Sequence, residues 1–460
     1  MSNRSQTVTN AVVHRRAPGP GIFRSMKSGL HFVRDPFAVL EQADKQYGPV
    51  VRFEMGNNRV VHLIHRPEHI QHVLLDNNRN YHKYTPYSLL KGLFGRGLLF
   101  NEGKSWFTQR RLLQPAFQPG HFSTLADGIG KAVVSVVDQW PRTQHGQQTD
   151  IEVEMSRLSR RVVGQVLFGT DLSDDLHDVL QVDGSKLNFL LGNVPLMPQS
   201  RRLQAGMRRL DKAVYAIIAE RRSQSPAQLS PDILNALLSA VDKDSGETMS
   251  DKQLRDEIVT LLFSGFDTTS RTLTWVFHAL SQNPQVEAKL HEELHEVLGN
   301  RKPTYADISK LTYTEMLVKE TMRMFPANAI IGRQAKEDDE IGGYHIPAGS
   351  CITLCQYLAH RDPSVWKNAA AFEPERFAPG QELPHRFAYF PFGGGPRQCI
   401  GKGLAMMTIP MAVATIAQQY RFAALPNFKV EHDIKVTFQS RRGVLATRHL
   451  RPAFNVATPE

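Results

Sequence analysis

Apolar residues recur along this chain mostly at three- and four-residue steps, the period of helices that bury one face. The clearest run opens at Ser250, whose hydroxyl can cap a helix start, with Gln253 three residues later completing a capping box. Ile258, Leu261, Leu262, Trp275, Val276 and Leu280 then carry the pattern until Pro284 stops it, which predicts one unusually long helix with Gly265 near its centre. A second helix is predicted from about Tyr313 to Phe325. Extended patterns are fewer. Val50–Phe53 and Arg59–Ile64 flank Gly56-Asn57-Asn58, residues that supply the positive φ of a tight turn, and so predict a hairpin. Segments near Ile341–Ile346 and Cys351–Gln356 also read as extended, and Pro115, Pro119, Pro141, Pro195 and Pro198 mark breaks. The fold class is mainly α with minor β.

No repeat and no Gly/Ser-rich linker divides the 460 residues. The expectation is a short flexible lead over residues 1–25, containing Ala17-Pro18-Gly19-Pro20-Gly21, then a single domain over 26–460. Lys and Arg number 55 against 45 Asp and Glu, giving a net charge of +10 that favours an acidic partner of some kind. No nucleic-acid motif accompanies it. Three cysteines, Cys351, Cys355 and Cys399, cannot build a disulfide framework in so long a chain and fit a reducing, cytoplasmic setting. The first residues lack a secretory h-region, and the longest uncharged run, Gly403–Gln419, is interrupted by Pro410. A transmembrane anchor is not expected, because spanning a bilayer takes about 20 apolar residues.

Chemistry concentrates in Phe392-Gly393-Gly394-Gly395-Pro396-Arg397-Gln398-Cys399-Ile400-Gly401. Three glycines and a proline ahead of a cysteine make a rigid loop, free of bulk, that a flat ligand can approach closely. Backbone amides there can hold a thiolate, and Gly401 lets the next helix begin beside it, its positive end favouring the same charge. Arg397 is placed to meet an anionic group. For a lone cysteine, a structural role in a Gly-rich turn is the competing reading. The complete F-x-x-G-x-R-x-C-x-G spacing instead resembles the haem-binding loop of the cytochrome P-450 family.

Other segments bear on that resemblance. Glu320-Thr321-Met322-Arg323 is similar to the family's E-x-x-R, which alone is a common i, i+3 pair, and Pro374-Glu375-Arg376-Phe377 to its P-E-R-F element. The resemblance implies that Glu320, Arg323 and Arg376 hold the proximal face together. Ser264-Gly265-Phe266-Asp267-Thr268-Thr269 looks like the family's oxygen-binding groove, with serine where alanine or glycine is commoner. A glycine and hydroxyls in mid-helix weaken the hydrogen-bond ladder and invite a local opening. By resemblance, Thr268 donates to dioxygen and Asp267 feeds protons. Trp106-Phe107-Thr108-Gln109-Arg110 matches W-x-x-x-R, and the resemblance implies haem propionate contacts for Trp106, Arg110 and Arg333. His360-Arg361-Asp362-Pro363 fits a structural turn, and Thr408 departs from the family by standing where a glutamate is common.

The implied function is a haem-thiolate monooxygenase. Cys399 ligates the iron of haem b (iron protoporphyrin IX), and Phe392, Gly395, Arg397 and Gly401 complete the loop. Dioxygen is co-substrate, and the substrate is a lipophilic small molecule such as a terpenoid, fatty acid or polyketide. With no flavin or nicotinamide segment, NAD(P)H acts only indirectly, through a separate ferredoxin or flavodoxin and its reductase. Such partners are acidic, and Lys104, Arg111 and Lys402 are candidates to dock them. The pocket is expected from Leu89, Leu90, Phe94, Phe263, Phe266, Ala329, Ile330 and Phe438, and the protein is expected to be a monomer. Three other readings stand beside this one: a haem-thiolate isomerase or peroxygenase needing no electron donor, a non-catalytic haem sensor, and a zinc protease suggested by His291-Glu292-Glu293-Leu294-His295.

Overall fold

The computed structural model describes residues 15–55, 59–84, 94–141, 146–170, 198–225 and 230–452. Helix α1 (Ile22–Arg34) leads into α2 (Pro36–Tyr47), which Asp35 caps by accepting the Ala38 amide at 3.1 Å while Pro36 takes the first helical position. Strands β1 (Val50–Met55) and β2 (Arg59–Ile64) pair antiparallel from Val50↔Ile64 to Met55↔Arg59, the hairpin that the Gly-Asn-Asn turn predicts. The lead expected over residues 1–25 does not reach that far. Ala17 is buried, the Pro18 carbonyl accepts the Arg52 amide at 2.8 Å, and α1 begins at Ile22.

Short α3 (Pro67–Gln71) and β3 (Tyr81–Lys83) follow, then α4 (Gly103–Leu113) and α5 (Pro119–Val137). Strand β4 (Gln147–Asp150) precedes α6 (Ile151–Phe168), α7 (Pro198–Ser223) and α8 (Ile233–Leu238). The long predicted helix is α9 (Asp251–Gln282), capped by Ser250 Oγ, which accepts the Gln253 amide. It runs unbroken through Gly265, so the local opening expected there is not present in the backbone. Pro284 opens α10 (Pro284–Leu298), and the second predicted helix is α11 (Thr312–Met324).

Strands β5 (Ile330–Ala335), β6 (Asp339–Ile341), β7 (Tyr344–Ile346) and β8 (Cys351–Cys355) come next, then short α12 (Gln356–Ala359). After the Cys399 loop come α13 (Lys402–Ala417) and strands β9 (Tyr420–Ala424), β10 (His432–Ile434), β11 (Phe438–Ser440) and β12 (Leu445–Leu450). The uncharged run around Pro410 is α13, sealed inside the protein rather than facing lipid. No described helix is long and apolar enough to cross a membrane.

The main core lies among α5, α6, α9, α11 and α13, whose apolar faces interlock. The principal sheet runs β1-β2-β8-β5-β3, with β2 and β8 parallel and the other pairs antiparallel. Its edge register has a consequence for the site: β3 pairs with β5 so that Lys83 stands opposite Arg333.

Candidate active site

The loop before α13 is shaped by its glycines. Gly393 and Gly395 both have positive φ, +68 and +65°, which side chains with a Cβ rarely adopt. A Cβ on Gly395 would collide with the Leu74 carbonyl, and one on Gly394 with the Phe387 ring. The Cys399 amide donates back to the Phe392 carbonyl at 2.9 Å, closing the turn. Cys399 is exposed, yet enough protein surrounds its side chain that burial pushes the thiol up. Those two facts together describe a side chain lining an internal cleft. The Gly401 amide, Arg110 and Lys83 pull in the other direction, toward thiolate.

Around that cleft the cations outnumber the acids. Arg397 stacks over the Trp106 ring at 3.8 Å, donates to the Asn101 carbonyl at 2.9 Å and pairs with Glu102. Arg110 reaches the Gln398 carbonyl at 2.9 Å, tying α4 to the loop. Burial, with Arg397 beside it, brings Arg333 down to about 10, and burial with both arginines near brings Lys83 down to about 7. Glu102 is the carboxylate that opposes these shifts. Four cations with one acid among them, Arg333 buried and the others half-buried, are costly to hold together unless an anion joins them. A flat group bearing two carboxylates, seated between Cys399 and these side chains, fits that requirement. Lys83 escaped the sequence reading because its place depends on β3 pairing with β5 across a long separation.

The proximal motifs do converge. Arg323 is fully buried and uses its whole donor fork: Nε and Nη2 to the two oxygens of Glu320, and Nη1 and Nη2 to the carbonyls of His360, Ala369 and Ala371, all at 2.8 Å. Arg376 Nε reaches Glu320 at 3.3 Å, and the Glu373 amide donates to the same carboxylate at 2.8 Å. His360 continues the chain of contacts. Its Nε2 accepts the Phe390 amide at 3.0 Å, while Gln356 donates to the Phe390 carbonyl at 2.7 Å. Burial holds the imidazole down to about 3, so it stays neutral and able to accept. The E-x-x-R pair is therefore hydrogen-bonded, through His360, to the stem of the Cys399 loop.

On α9, hydroxyls bond back to carbonyls one turn earlier: Thr268 to Ser264 at 2.7 Å, and Ser264 to Thr260 at 2.7 Å. From α6, Ser159 donates to the Phe266 carbonyl at 2.8 Å. Asp267 is not open to bulk water alone. One oxygen accepts Arg271 Nε at 3.1 Å and the other accepts Thr437 Oγ1 at 2.6 Å. Arg271 also pairs with Glu152 of α6, which in turn accepts from Ser440. No short-range pattern announced this network, because its members come from α6, α9 and the C-terminal hairpin in which β10 and β11 pair antiparallel.

The pocket residues divide. Phe94 and Phe263 pack together with centroids 4.8 Å apart. Next to Phe94, the Arg96 amide donates to Asp256 at 2.9 Å and the Leu98 amide to Glu257 at 2.8 Å, fixing that segment to α9. Burial raises Glu257 to about 8, so it is a neutral acid near pH 7. Leu89 and Leu90 lie outside the described residues. Phe266 departs from the expectation: it is buried with Arg160 of α6 at 5.9 Å over its ring. Ala329, Ile330 and Phe438 depart as well, belonging to a separate core around Phe37, Trp275 and Tyr357. Trp275 donates to the Phe438 carbonyl, and these side chains pack with that core, whereas Phe94 and Phe263 pack with the main one. Ile331, which was not singled out, is the residue of that segment against the loop, 3.7 Å from where a Gly393 Cβ would stand.

Two further expectations change. Arg111 is already paired with Asp242 at 2.6 Å and Asp244 at 2.5 Å. In the H-E-x-x-H segment, Glu293 accepts the Thr314 amide at 2.9 Å and the Thr314 hydroxyl at 2.6 Å at the start of α11. Among the described residues no group of three His, Cys, Asp or Glu is placed to hold a metal ion, which removes the basis of the zinc reading.

The Cytochrome P450 family model matches residues 18–443. The chain belongs to the cytochrome P450 family. Its similarity to curated members is spread along the whole length. It is 32% identical to the cyclooctatin synthase of Streptomyces melanosporofaciens over 90% of this chain and 92% of that protein. It is 28% identical to the pentalenene oxygenase of Streptomyces avermitilis over 95% of each. Among solved structures, the cytochrome P450DA heme domain superposes with a TM-score of 0.85, at 23% identity, covering 95% of this chain and 99% of that one. This P450 is a monooxygenase by family, in a group that uses heme and dioxygen.

Proposed function

We propose that this P450 inserts one oxygen atom from dioxygen into a lipophilic small molecule, by hydroxylation or epoxidation, with electrons from a separate ferredoxin or flavodoxin system. The observation that carries the reading is the cleft-lining thiol of Cys399 set beside four cations that share a single carboxylate. Haem b, when bound, would supply the oxygen activation, and a thiolate ligand would favour that chemistry. Cys399 would be that ligand. Phe392, Gly393, Gly395 and Gly401 keep its approach open, and Trp106, Arg110, Arg333, Arg397 and Lys83 would take the propionates. Thr268 would present a hydroxyl to the oxygen site. Asp267 would move protons to it after exchanging Arg271 or Thr437 for water. Glu320, Arg323 and Arg376 act on stability and on loop position, not on the reaction.

For the substrate, two relatives bear names that specify cyclic or unsaturated skeletons, cyclooctat-9-en-7-ol and pentalenene, and the Phe94–Phe263 pair suits such a carbon frame. Lys104 and Lys402 remain exposed and are the better candidates to meet an acidic donor, with the enzyme acting in the cytoplasm. The test has two arms. Cys399→Ser abolishes the carbon monoxide difference band of a thiolate-ligated haem, and retention of that band refutes the ligand. Turnover that requires NADPH with surrogate redox partners is expected. Turnover on peroxide alone, or none with any candidate substrate, would favour the peroxygenase or sensor reading.

A further inference from the structure

Helix α1 leaves aliphatic side chains at the surface. On the side it turns inward, Ser25 is buried, donates to the Pro20 carbonyl at 3.0 Å and accepts the Glu54 amide at 3.1 Å, Ser28 and Gly29 are half-buried, and Phe32 packs against the core around Phe37 and Trp275. Two apolar residues go the other way. Leu30 is 68% exposed and Val33 67%, and Met55 at the end of neighbouring β1 is exposed too. In the sequence, positions 22, 23, 26, 30 and 33 are all apolar, the spacing of one helical stripe. Flanking it, Arg24, Lys27, His31 and Arg34 are exposed, and α1 contains no acidic residue. The nearest carboxylates are engaged: Glu54 with Arg52, and Asp35 as the cap of α2. Arg441, which donates to the Arg34 carbonyl at 2.5 Å, is paired with Asp433 at 3.6 Å and adds no net charge there.

We infer that α1 docks this protein peripherally on a bilayer surface that carries anionic phospholipid, lying in the interface with Leu30 and Val33 among the acyl chains. A helix with an apolar stripe, a cationic margin and no acid has the character of interfacial helices, and anionic headgroups complement its charge. A soluble protein partner would have to offer an apolar groove with an acidic rim. A membrane offers both over its whole area, and it is also where a lipophilic substrate accumulates. The inference does not rest on the haem assignment.

The test is sedimentation of the full-length holoprotein with vesicles of phosphatidylcholine alone and of phosphatidylcholine mixed with phosphatidylglycerol. Pelleting with the mixed vesicles, reversed by salt, is expected. The partition coefficient should fall about tenfold or more in Leu30→Glu/Val33→Glu and in Arg24→Glu/Lys27→Glu. Both variants alter exposed side chains and should keep the wild-type carbon monoxide spectrum, which monitors folding. Failure of the wild type to pellet, equal binding to neutral vesicles, or variants that bind like the wild type would overturn the proposal. Two other results would also overturn it: binding that appears only after residues 1–14 are removed, which gives the face to the chain's own N-terminus, and a dimer abolished by Leu30→Glu/Val33→Glu, which gives it to a second copy.

Discussion

Replacing Arg323 with lysine tests whether the proximal network is a stability device that reaches the haem loop. The guanidinium makes five hydrogen bonds while fully buried, two to Glu320 and three to backbone carbonyls. Lysine keeps the charge but has three donors on one nitrogen, so it cannot serve both Glu320 oxygens and carbonyls spread over residues 360–371. At least two buried acceptors lose their partner, at about 1–3 kcal/mol each. Arg376 still contacts Glu320 and softens the loss on the carboxylate side. The expected destabilisation is about 2–6 kcal/mol, a large share of the roughly 5–15 kcal/mol that a folded protein typically holds. Urea unfolding at neutral pH measures it. Because the His360 carbonyl is one of the acceptors and His360 Nε2 holds Phe390, the carbon monoxide spectrum should also lose thiolate character before global unfolding. A midpoint shift worth less than about 1 kcal/mol, or a loop spectrum that unfolds only with the whole molecule, would refute the reasoning.

Other perturbations follow from the same contacts. Glu257 ordinarily ionises near 4.5 and is raised to about 8 here, so folding binds a proton and stability from this group is greatest at low pH and declines as pH climbs toward 8. Glu257→Gln should come close to the wild type at about pH 4 and exceed it increasingly up to about pH 9, by at most about 5 kcal/mol, and a urea-midpoint difference that is the same at both pH values would contradict this. Asp267→Asn should lower product formation about a hundredfold and raise the solvent isotope effect, as expected when a proton carrier is lost. Arg271→Gln should alter the pH profile of coupling without changing the substrate-induced spectral shift, and an unchanged profile would disconnect Arg271 from proton delivery. Gly395→Ala forces a Cβ into the Leu74 carbonyl at a positive φ, so the haem-to-protein ratio should fall, and stoichiometric haem would show that the loop can relax.

Periodicity and punctuation were enough for the helices on either side of the cleft and for the N-terminal hairpin, because burying one face of a regular element imposes its own spacing on the sequence. α9 was capped at Ser250 and α11 spans Thr312–Met324, close to the limits expected from the pattern. The Cys399 loop was legible for a different reason: its glycines answer local demands of positive φ and close backbone approach, and such demands are written residue by residue. The unbroken backbone of α9 shows the limit of local reasoning, since hydroxyls that compete for the carbonyls of the preceding turn do not open a helix that is packed and hydrogen-bonded against α6.

The sequence by itself settled the elements, the family resemblance and the residue types at the cleft. Tertiary structure decided which charges meet. Lys83 joins Arg333 only through the β3–β5 register, Asp267 is held by Thr437 from the C-terminal hairpin, and Phe438 is claimed by the Trp275 core instead of the pocket. It also decided that α1 buries Ser25 while leaving Leu30 and Val33 exposed. Local propensity depends on neighbours a few residues away. Electrostatic and packing partners are separated by hundreds of residues and are chosen by how layers close on one another, which no short-range pattern encodes.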